Sequence, residues 1–465
     1  MRKPLALLLA LVPTSAWATV PVRATVRGGE VQDVEVVAGG VAHQARFDTL
    51  SRTRLDPGPV TLRASFPGDR TGVEVAACAG RGAVVIDGVR YAPPPGPFVV
   101  RLAPRAAPHS VEVEIGVSSY ERRVACGDPI RASAVVDARE GIVGLDFPSP
   151  EAARGGGHAL MYVPPGHDAT KPAVLLVGVH PWNGTPSTYT AYAELLAAAR
   201  QHDVVLLFPS GLGNSLYTAP AESETMRAID AAGRALAIDP RRVSIWGASM
   251  GGQGACTIGL HHPDRFAFIA SYFGDASFNI ASYVRSILPT QEAAHRVNPI
   301  DVIDNARHVP VWLIHGDADR TSNVHESELL DEALRQRGYA VRFDKVPGRG
   351  HEGMLVAEHV AEVVARAAQA RSPEHPARVT FRTIAAPAAE QGTVRPENDR
   401  AYGVRLVRAG AADAFVDLEL SAGKIVVHAA EGVREIVLGS GALGAPRGTP
   451  VVWSGPHGAA TLRWE

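Results

Sequence analysis

RRVSIWGASMGGQGACTIGL, residues 241–260, changes character in its middle. Val243-Ser244-Ile245-Trp246 is a short apolar run of the kind that fills a buried strand, and Gly252–Leu260 is a small-residue stretch suited to a closely packed helix. Between them stands Gly247-Ala248-Ser249-Met250-Gly251, the pattern G-x-S-x-G. Glycines on both sides let a strand turn sharply into a helix, leaving the hydroxyl of the serine exposed at the helix N-terminus. Ser249 is therefore a candidate nucleophile. A serine hydroxyl is weak in that role at neutral pH, so the rest of the chain has to supply a base, an orienting carboxylate and donors for an oxyanion.

Outward from this turn the chain alternates between apolar runs and alanine-rich helical patterns. The strand candidates are 173–179, 204–210, 242–247, 266–274, 309–316 and 340–348; the helix candidates are 188–202, 224–238, the segment after Ser249, 325–338 and 354–370. Strand–helix alternation predicts βαβ units and a mostly parallel sheet, and near-continuous apolar strands such as AVLLVGV predict one covered on both faces. The fold class expected over 136–371 is thus doubly wound α/β. Residues 19–135 instead show short alternating runs such as GVEVAA, FVVRLA and SVEVEIGV between glycine and proline turns, which predicts an N-terminal β-sandwich-like domain. After the polar, proline-bearing segment 371–376, runs such as RVTFRTI, AFVDLEL and KIVVHA predict a C-terminal β-rich domain over 372–465.

The catalytic partners are sought in the order serine, acid, histidine, each after a later strand. Asp319 follows the run VPVWLIH, and Asp317, two residues earlier, competes for the acid position. Among the histidines beyond Asp319, His325 enters a helix and His359 lies inside one, whereas His351 sits in the loop Gly348-Arg349-Gly350-His351 after a strand. That places His351 as general base with Asp319 as its orienting acid. The oxyanion donors expected are the backbone amides of Met250 and Trp182, the latter in His180-Pro181-Trp182-Asn183-Gly184. Tyr189 and Tyr217 are candidates to line the pocket. Cys256, in the helix after Ser249, reads as a small buried hydrophobe.

Composition narrows the rest. With 465 residues the length suits roughly three domains. Apolar residues at 46% and charged residues at 20% fit a folded chain, not a disordered one. Lys plus Arg (46) nearly balance Asp plus Glu (48), so no electrostatic footprint for nucleic acid is present. No H-E-x-x-H, paired C-x-x-C or phosphate-loop pattern occurs, so neither metal nor cofactor is expected. Residues 1–18 carry Arg2 and Lys3, the apolar stretch Leu5–Val12 and an Ala16-Trp17-Ala18 ending, the pattern of a secretory signal peptide. No later stretch has the roughly 20 apolar residues of a membrane span. Export permits a disulfide, and Cys78 and Cys126, both in the N-terminal β-region, are the pair expected.

DPRRVSIWGASMGGQGACTIGLHHPDRFAFIASYFG, NPIDVIDNARHVPVWLIHGDADR and VPGRGHEG together resemble the α/β-hydrolase superfamily. The likeness is to secreted esterases of the polyhydroxybutyrate depolymerase, feruloyl esterase and esterase-D type, and also to prolyl-oligopeptidase-like serine hydrolases. It covers roughly residues 140 to 370 and implies the same roles for Ser249, Asp319, His351, Trp182 and Met250 that the spacing gives. This chain departs from the pattern twice. The usual His-Gly opening of the oxyanion loop is His180-Pro181, and the Val-Pro pair common after the acid is Ser322-Asn323. The function expected is a secreted or periplasmic carboxylic-ester hydrolase acting on small or polymer-borne esters, with the β-modules offering surface for polysaccharide. The alternatives are a peptidase on the same scaffold and a catalytically idle domain that serves in binding.

Overall fold

The computed structural model describes residues 20–27, 30–38, 41–45, 58–66, 68–77, 83–93, 98–117, 131–135, 141–152, 155–168, 170–279, 283–385 and 398–465. The leader expected at 1–18, and Cys78 and Cys126, lie outside the described residues. The chain divides into two compact units. One holds residues up to Gly144 with Leu160–His167 and Ser187–Arg200; the other holds Leu145–Ala159, Asp168–Pro186 and Gln201–Glu465.

In the first unit the alternating runs form paired strands. Gly58–Phe66 runs antiparallel to His109–Val117, and Gly72–Ala76 pairs antiparallel with both Phe98–Arg101 and Arg131–Val135. Val73, Val75, Phe98, Val100, Val111 and Val113 point inward from these strands, as Val84 and Ile86 do from Ala83–Ile86, as a period of two requires. Asp87 (φ 51°) and Gly88 (φ 84°) form the two-residue turn between Ala83–Ile86 and Val89–Tyr91. Two successive positive φ values match the right-handed twist of a hairpin, and an Asp-Gly pair tolerates them.

The second unit is built on a parallel sheet. In chain order its elements are β1 (Ala173–Val179), β2 (Val204–Pro209), α1 (Ala219–Ala235), β3 (Ile238–Ala248), α2 (Met250–His261), β4 (Ile269–Tyr272), α3 (Gln291–Val297), β5 (Val311–Gly316), α4 (Val324–Gln336), β6 (Val341–Val346) and α5 (Gly353–Gln369). The strands lie in the order β2-β1-β3-β4-β5-β6, every neighbouring pair parallel. Every residue of β1, β2 and β5 is buried, which is why these segments are apolar without alternation. This is an α/β-hydrolase-like sheet. The ends of elements differ from the sequence reading where proline is involved: α1 begins at Ala219 with Pro220 in its first turn, where a missing N–H costs nothing, and β3 begins at Ile238 and runs through Pro240. Among the described residues no helix is long and apolar enough to cross a membrane.

The last part of this unit adds two four-stranded sheets. One joins Arg378–Thr383, Ala414–Ser421, Lys424–Glu431 and Val451–Trp453; the other joins Arg400–Ala401, Val404–Arg408, Val433–Leu438 and Thr461–Trp464. They share a core that includes Phe381, Val416, Leu418, Val427, Ile436 and Leu438. The segment expected to link them to the parallel sheet is pinned to it: Ser372 N donates to Arg241 O at 2.9 Å and Arg241 Nη1 meets Glu374 at 2.9 Å. Asn305 ties α2 to the first of these sheets, its Nδ2 donating to Leu260 O at 2.8 Å and Arg382 O at 2.9 Å. Tyr402 Oη donates to Pro263 O at 2.7 Å, just beyond the end of α2.

Candidate active site

Ser249 stands between β3 and α2 with φ 57° and ψ −121°, a conformation that costs a non-glycine residue about 1–3 kcal/mol. Two hydrogen bonds hold it there: Ser249 N donates to Tyr272 O at 2.9 Å, and Gln253 N to Ser249 O at 3.1 Å. The flanking glycines are needed for close approach. A Cβ on Gly247 would fall on the backbone of Gly251, one on Gly251 on the carbonyl of Val179, and one on Gly252 on the carbonyl of Tyr272. The G-x-S-x-G pattern thus lets the strand, the turn and the neighbouring strand ends pack backbone to backbone.

Above this turn the structure brings Ser249, His351 and Asp319 together. Ser249 Oγ donates to His351 Nε2 at 2.8 Å, and His351 Nδ1 donates to Asp319 Oδ2 at 2.7 Å. The side chain of Asp319 is fully buried and that of His351 is 19% exposed, so the ring can exchange a proton with the site while its acid is shielded. A buried carboxylate needs its other oxygen satisfied. Asp319 Oδ1 accepts from Thr321 N at 2.8 Å and Ser322 N at 3.0 Å.

The loops carrying the acid and the histidine are fastened to each other. Asp317 N donates to Val346 O at 3.1 Å, Ala318 N to Arg349 O at 2.9 Å, and Gly348 N to Asp317 Oδ1 at 2.7 Å. Asp317, the competitor for the acid role, is thereby engaged with the histidine loop and exposed to solvent, away from the imidazole. His325 caps into α4, its N donating to Asn323 Oδ1 at 2.9 Å, and His359 Nδ1 donates to Leu355 O within α5. Cys256 is buried, and burial pushes its thiol up to about 12, which leaves it protonated and inert.

On the other side of Ser249, Pro181-Trp182-Asn183-Gly184 makes a tight turn closed by Gly184 N donating to Pro181 O at 2.8 Å. The His180-Pro181 departure is accommodated because the His180 ring is buried, its Nε2 2.8 Å from Ser210 O and its Nδ1 2.9 Å from Pro181 O. Asn183 has φ 60°, which asparagine tolerates better than most residues. Its N donates to Asn214 Oδ1 at 2.6 Å, and Asn214 Nδ2 donates back to Asn183 Oδ1 at 2.8 Å. Trp182, half-buried, is therefore held from both sides. Met250 is the first residue of α2, so its N–H has no acceptor in a preceding helical turn. Tyr217 is fully buried, its hydroxyl donating to His180 O at 3.1 Å and its ring packed where a Cβ on Gly254 would fall; it supports the loop from beneath. Tyr189, in the first unit, is buried with its ring 6.1 Å from that of Tyr192.

Five residues around the site were not legible as such in the sequence: Asn183 and Asn214, His315, Phe273 and Asp275. His315 is buried, accepts from Ser327 Oγ at Nδ1 (2.8 Å) and reaches Ser322 O at 3.0 Å with Nε2, bracing the acid loop; burial lowers its proton affinity and keeps it neutral. The Phe273 ring lies 4.5 Å from that of His351. Asparagines next to glycines, as in Asn183-Gly184 and Gly213-Asn214, are the one signal that could have drawn attention to the first pair.

Residues 221–369 match the model of the prolyl oligopeptidase family. NocK of Nocardia uniformis subsp. tsuyamanensis, a protein provisionally named an esterase, is 30% identical over 258 residues, covering 53% of this chain and 61% of that protein. Acyl-protein thioesterase 1 of Neurospora crassa is 35% identical over 49 residues, 10% of this chain and 20% of that protein. The chain spans less than two thirds of the length of each of these relatives. Among solved structures, an S-formylglutathione hydrolase from Agrobacterium tumefaciens is 17% identical and covers 50% of this chain and 96% of its own, with a TM-score of 0.43.

Proposed function

We propose that this chain, a serine hydrolase of the esterase and prolyl oligopeptidase kind with the α/β-hydrolase fold, cleaves carboxylic esters through an acyl-enzyme on Ser249. The observation that carries this reading is the continuous hydrogen-bonded line from Ser249 Oγ through His351 to the buried Asp319. In the proposed reaction His351 Nε2 takes the proton of Ser249 as Oγ attacks the ester carbonyl. Asp319 holds Nδ1 protonated and stabilises the imidazolium that forms. The amides of Met250 and Trp182 receive the oxyanion, and each such donor is worth about 3–4 kcal/mol in the transition state. The imidazolium then protonates the leaving alcohol, and water, activated by the same ring, releases the acid.

The match to the prolyl oligopeptidase family over 221–369 favours a second reading, a peptidase using the same three residues. Fluorophosphonate labelling of wild type against Ser249→Ala tests the nucleophile, and equal labelling of both would sink the assignment. A panel of short acyl esters, feruloyl esters, acetylated sugars and aminoacyl anilides then separates the two readings, since turnover of anilides ahead of esters would favour the peptidase. We propose further that residues 1–18 direct export and are removed, and that the β-rich segments 19–135 and 372–465 flank the hydrolase region and offer surface for polysaccharide. N-terminal sequencing of the mature protein checks the first of these, and pull-down on insoluble polysaccharide the second.

A further inference from the structure

We infer that Glu224 is a positioning residue for the oxyanion loop: from α1 it anchors the segment 210–217, against which 180–184 is set, and so fixes the amide of Trp182 without touching substrate. This follows only if Ser249, Met250 and Trp182 have the roles proposed above.

Segment 210–217 lies between β2 and α1 and is contorted. Gly211 (φ 51°), Leu212 (55°), Gly213 (73°), Leu216 (51°) and Tyr217 (49°) all have left-handed backbones. Leucine and tyrosine enter that region at a cost, and such a run persists only where its surroundings over-determine it. The segment meets both ends of the turn that carries Trp182. Ser210 O lies 2.8 Å from His180 Nε2, and Tyr217 Oη donates to His180 O at 3.1 Å. Asn214 accepts from Asn183 N at 2.6 Å and donates to Asn183 Oδ1 at 2.8 Å. Trp182 stands between His180 and Asn183, so its amide goes where this segment goes.

Glu224 grips the segment where the left-handed run begins. Its Oε1 accepts from Ser210 Oγ at 2.8 Å and its Oε2 from Gly211 N at 3.1 Å. Ser210 N donates to His158 O at 3.0 Å, which holds the same residue through its backbone. Glu224 is fully buried. An apolar side chain would fill its place with no polar group to desolvate, but would leave a hydroxyl and an N–H without their acceptor. Burial pushes the carboxyl up to about 7; the hydrogen bonds from Ser210, Gly211 and His158 oppose it, and Glu151 adds to it. Near neutral pH the group therefore carries a proton part of the time, and what the segment takes from it is hydrogen bonding, not a full charge.

The rate of Ser249 labelling by a fluorophosphonate, whose phosphoryl oxygen takes the oxyanion position, reads the state of the loop without reference to any particular substrate. Glu224→Leu removes both acceptors, and its folded protein is expected to label about tenfold more slowly, a part of what a whole oxyanion donor is worth. In Glu224→Gln the amide oxygen can accept from Gly211 N and the amide nitrogen donate to Ser210 Oγ, so the rate should recover to within about threefold of wild type. Glu224→Leu combined with Asn214→Ala should label little more slowly than the slower of the two alone, because both act on one segment. Wild-type labelling in Glu224→Leu overturns the inference. So does Glu224→Gln as slow as Glu224→Leu, or a double variant whose loss is the product of the single losses. Should Glu224→Leu fail to fold, as judged by near-UV circular dichroism, Ser210→Ala takes its place, since it removes the hydroxyl that Glu224 holds. It should label about three- to fivefold more slowly, and with Asn214→Ala should again fall short of the product. A wild-type rate in Ser210→Ala, or the full product in that pair, overturns the inference. Absence of labelling at Ser249 in the wild type would instead overturn the reading of the site on which the role of Glu224 stands.

Discussion

The two ends of α2 carry the same kinds of side chain and put them to opposite uses. At its N-terminal end Ser249 meets a histidine and a carboxylate; at its C-terminal end His261 and His262 meet Glu222 of α1 and Arg296 of α3. There His261 Nδ1 and His262 Nε2 each lie 2.9 Å from Glu222, and Arg296 Nη2 lies 3.2 Å from it. The side chains of His261, Glu222 and Arg296 are no more than 2% exposed, against 19% for His351. Burial would raise the carboxyl of Glu222, but Arg296 and the two histidines outweigh it and hold that carboxyl well below the usual range; burial and Arg296 push His261 down to about 4. The difference teaches that histidine beside carboxylate is not itself a base. A sealed ring next to a guanidinium is fixed as a neutral structural partner, whereas the partly open ring of His351 stands between a serine hydroxyl and a buried carboxylate.

The comparison breaks most sharply at Ser249. Ser249→Ala is expected to reduce hydrolysis by about 10⁵- to 10⁶-fold, as removal of a triad serine does, while chemical denaturation moves by less than about 0.5 kcal/mol. A large stability loss in that variant would mean that the two ends of α2 are not separable. At the other end Arg296→Met should cost about 3–5 kcal/mol in urea unfolding, because it leaves Glu222 buried without its cation. Its folded fraction should still label at Ser249 at the wild-type rate.

The same variant has a pH signature. His261 has a folded value of about 4, below its ordinary 6.5, so the unfolded chain binds a proton that the folded chain refuses, and stability falls as pH drops from 6.5 toward about 4. Glu222, depressed when folded, adds stability above the ordinary carboxylate range that is lost as pH falls through its lowered value. Without Arg296 the repulsion on His261 is relieved, and the acid-side slope of unfolding free energy against pH should flatten.

Smaller effects sharpen the contrast between reacting and supporting groups. Asn214→Ala unfastens Asn183 and with it the turn of Trp182, and is expected to lower kcat about tenfold with KM little changed, a part of what loss of a whole oxyanion donor costs. A rise in KM at constant kcat would place Asn214 in substrate binding instead. Least is expected of Arg382→Ala, which removes one of two arginines from Asp304 and the cation over the Phe415 ring: about 1 kcal/mol of stability and no change in labelling rate. If labelling also slows, the terminal sheets reach the active site as well as steadying the helix behind it.

Much of the site was legible because its constraints are local. The glycines around Ser249 answer to backbone contacts within a few residues or one strand away, and Asp319 and His351 follow apolar runs that the period of the sequence marks as strands. Spacing put Asp319 in the acid position but left Asp317 as a competitor, since both follow the same strand; the hydrogen bond from Gly348 N to Asp317 turns one away, and the closed cage of Thr321 and Ser322 amides keeps the other at the ring. Asn214, 31 residues from Asn183, and Asp275, 47 residues from Ser322, meet their partners only through tertiary packing, and no periodicity records such pairs. The segment 371–376 read as a linker from its polarity and prolines, yet it is docked on Arg241, because a proline-rich stretch can be anchored through its carbonyls and serine as well as left free.

By itself the sequence determined the alternation of buried strands and helices, the strained turn that presents Ser249, and the order of acid and histidine that follows, all set by apolar periodicity and by glycine at places of close approach. Only the tertiary structure decided which carboxylates and histidines meet, which are sealed and which stay open, because proton affinity depends on the burial and charge that distant segments bring together.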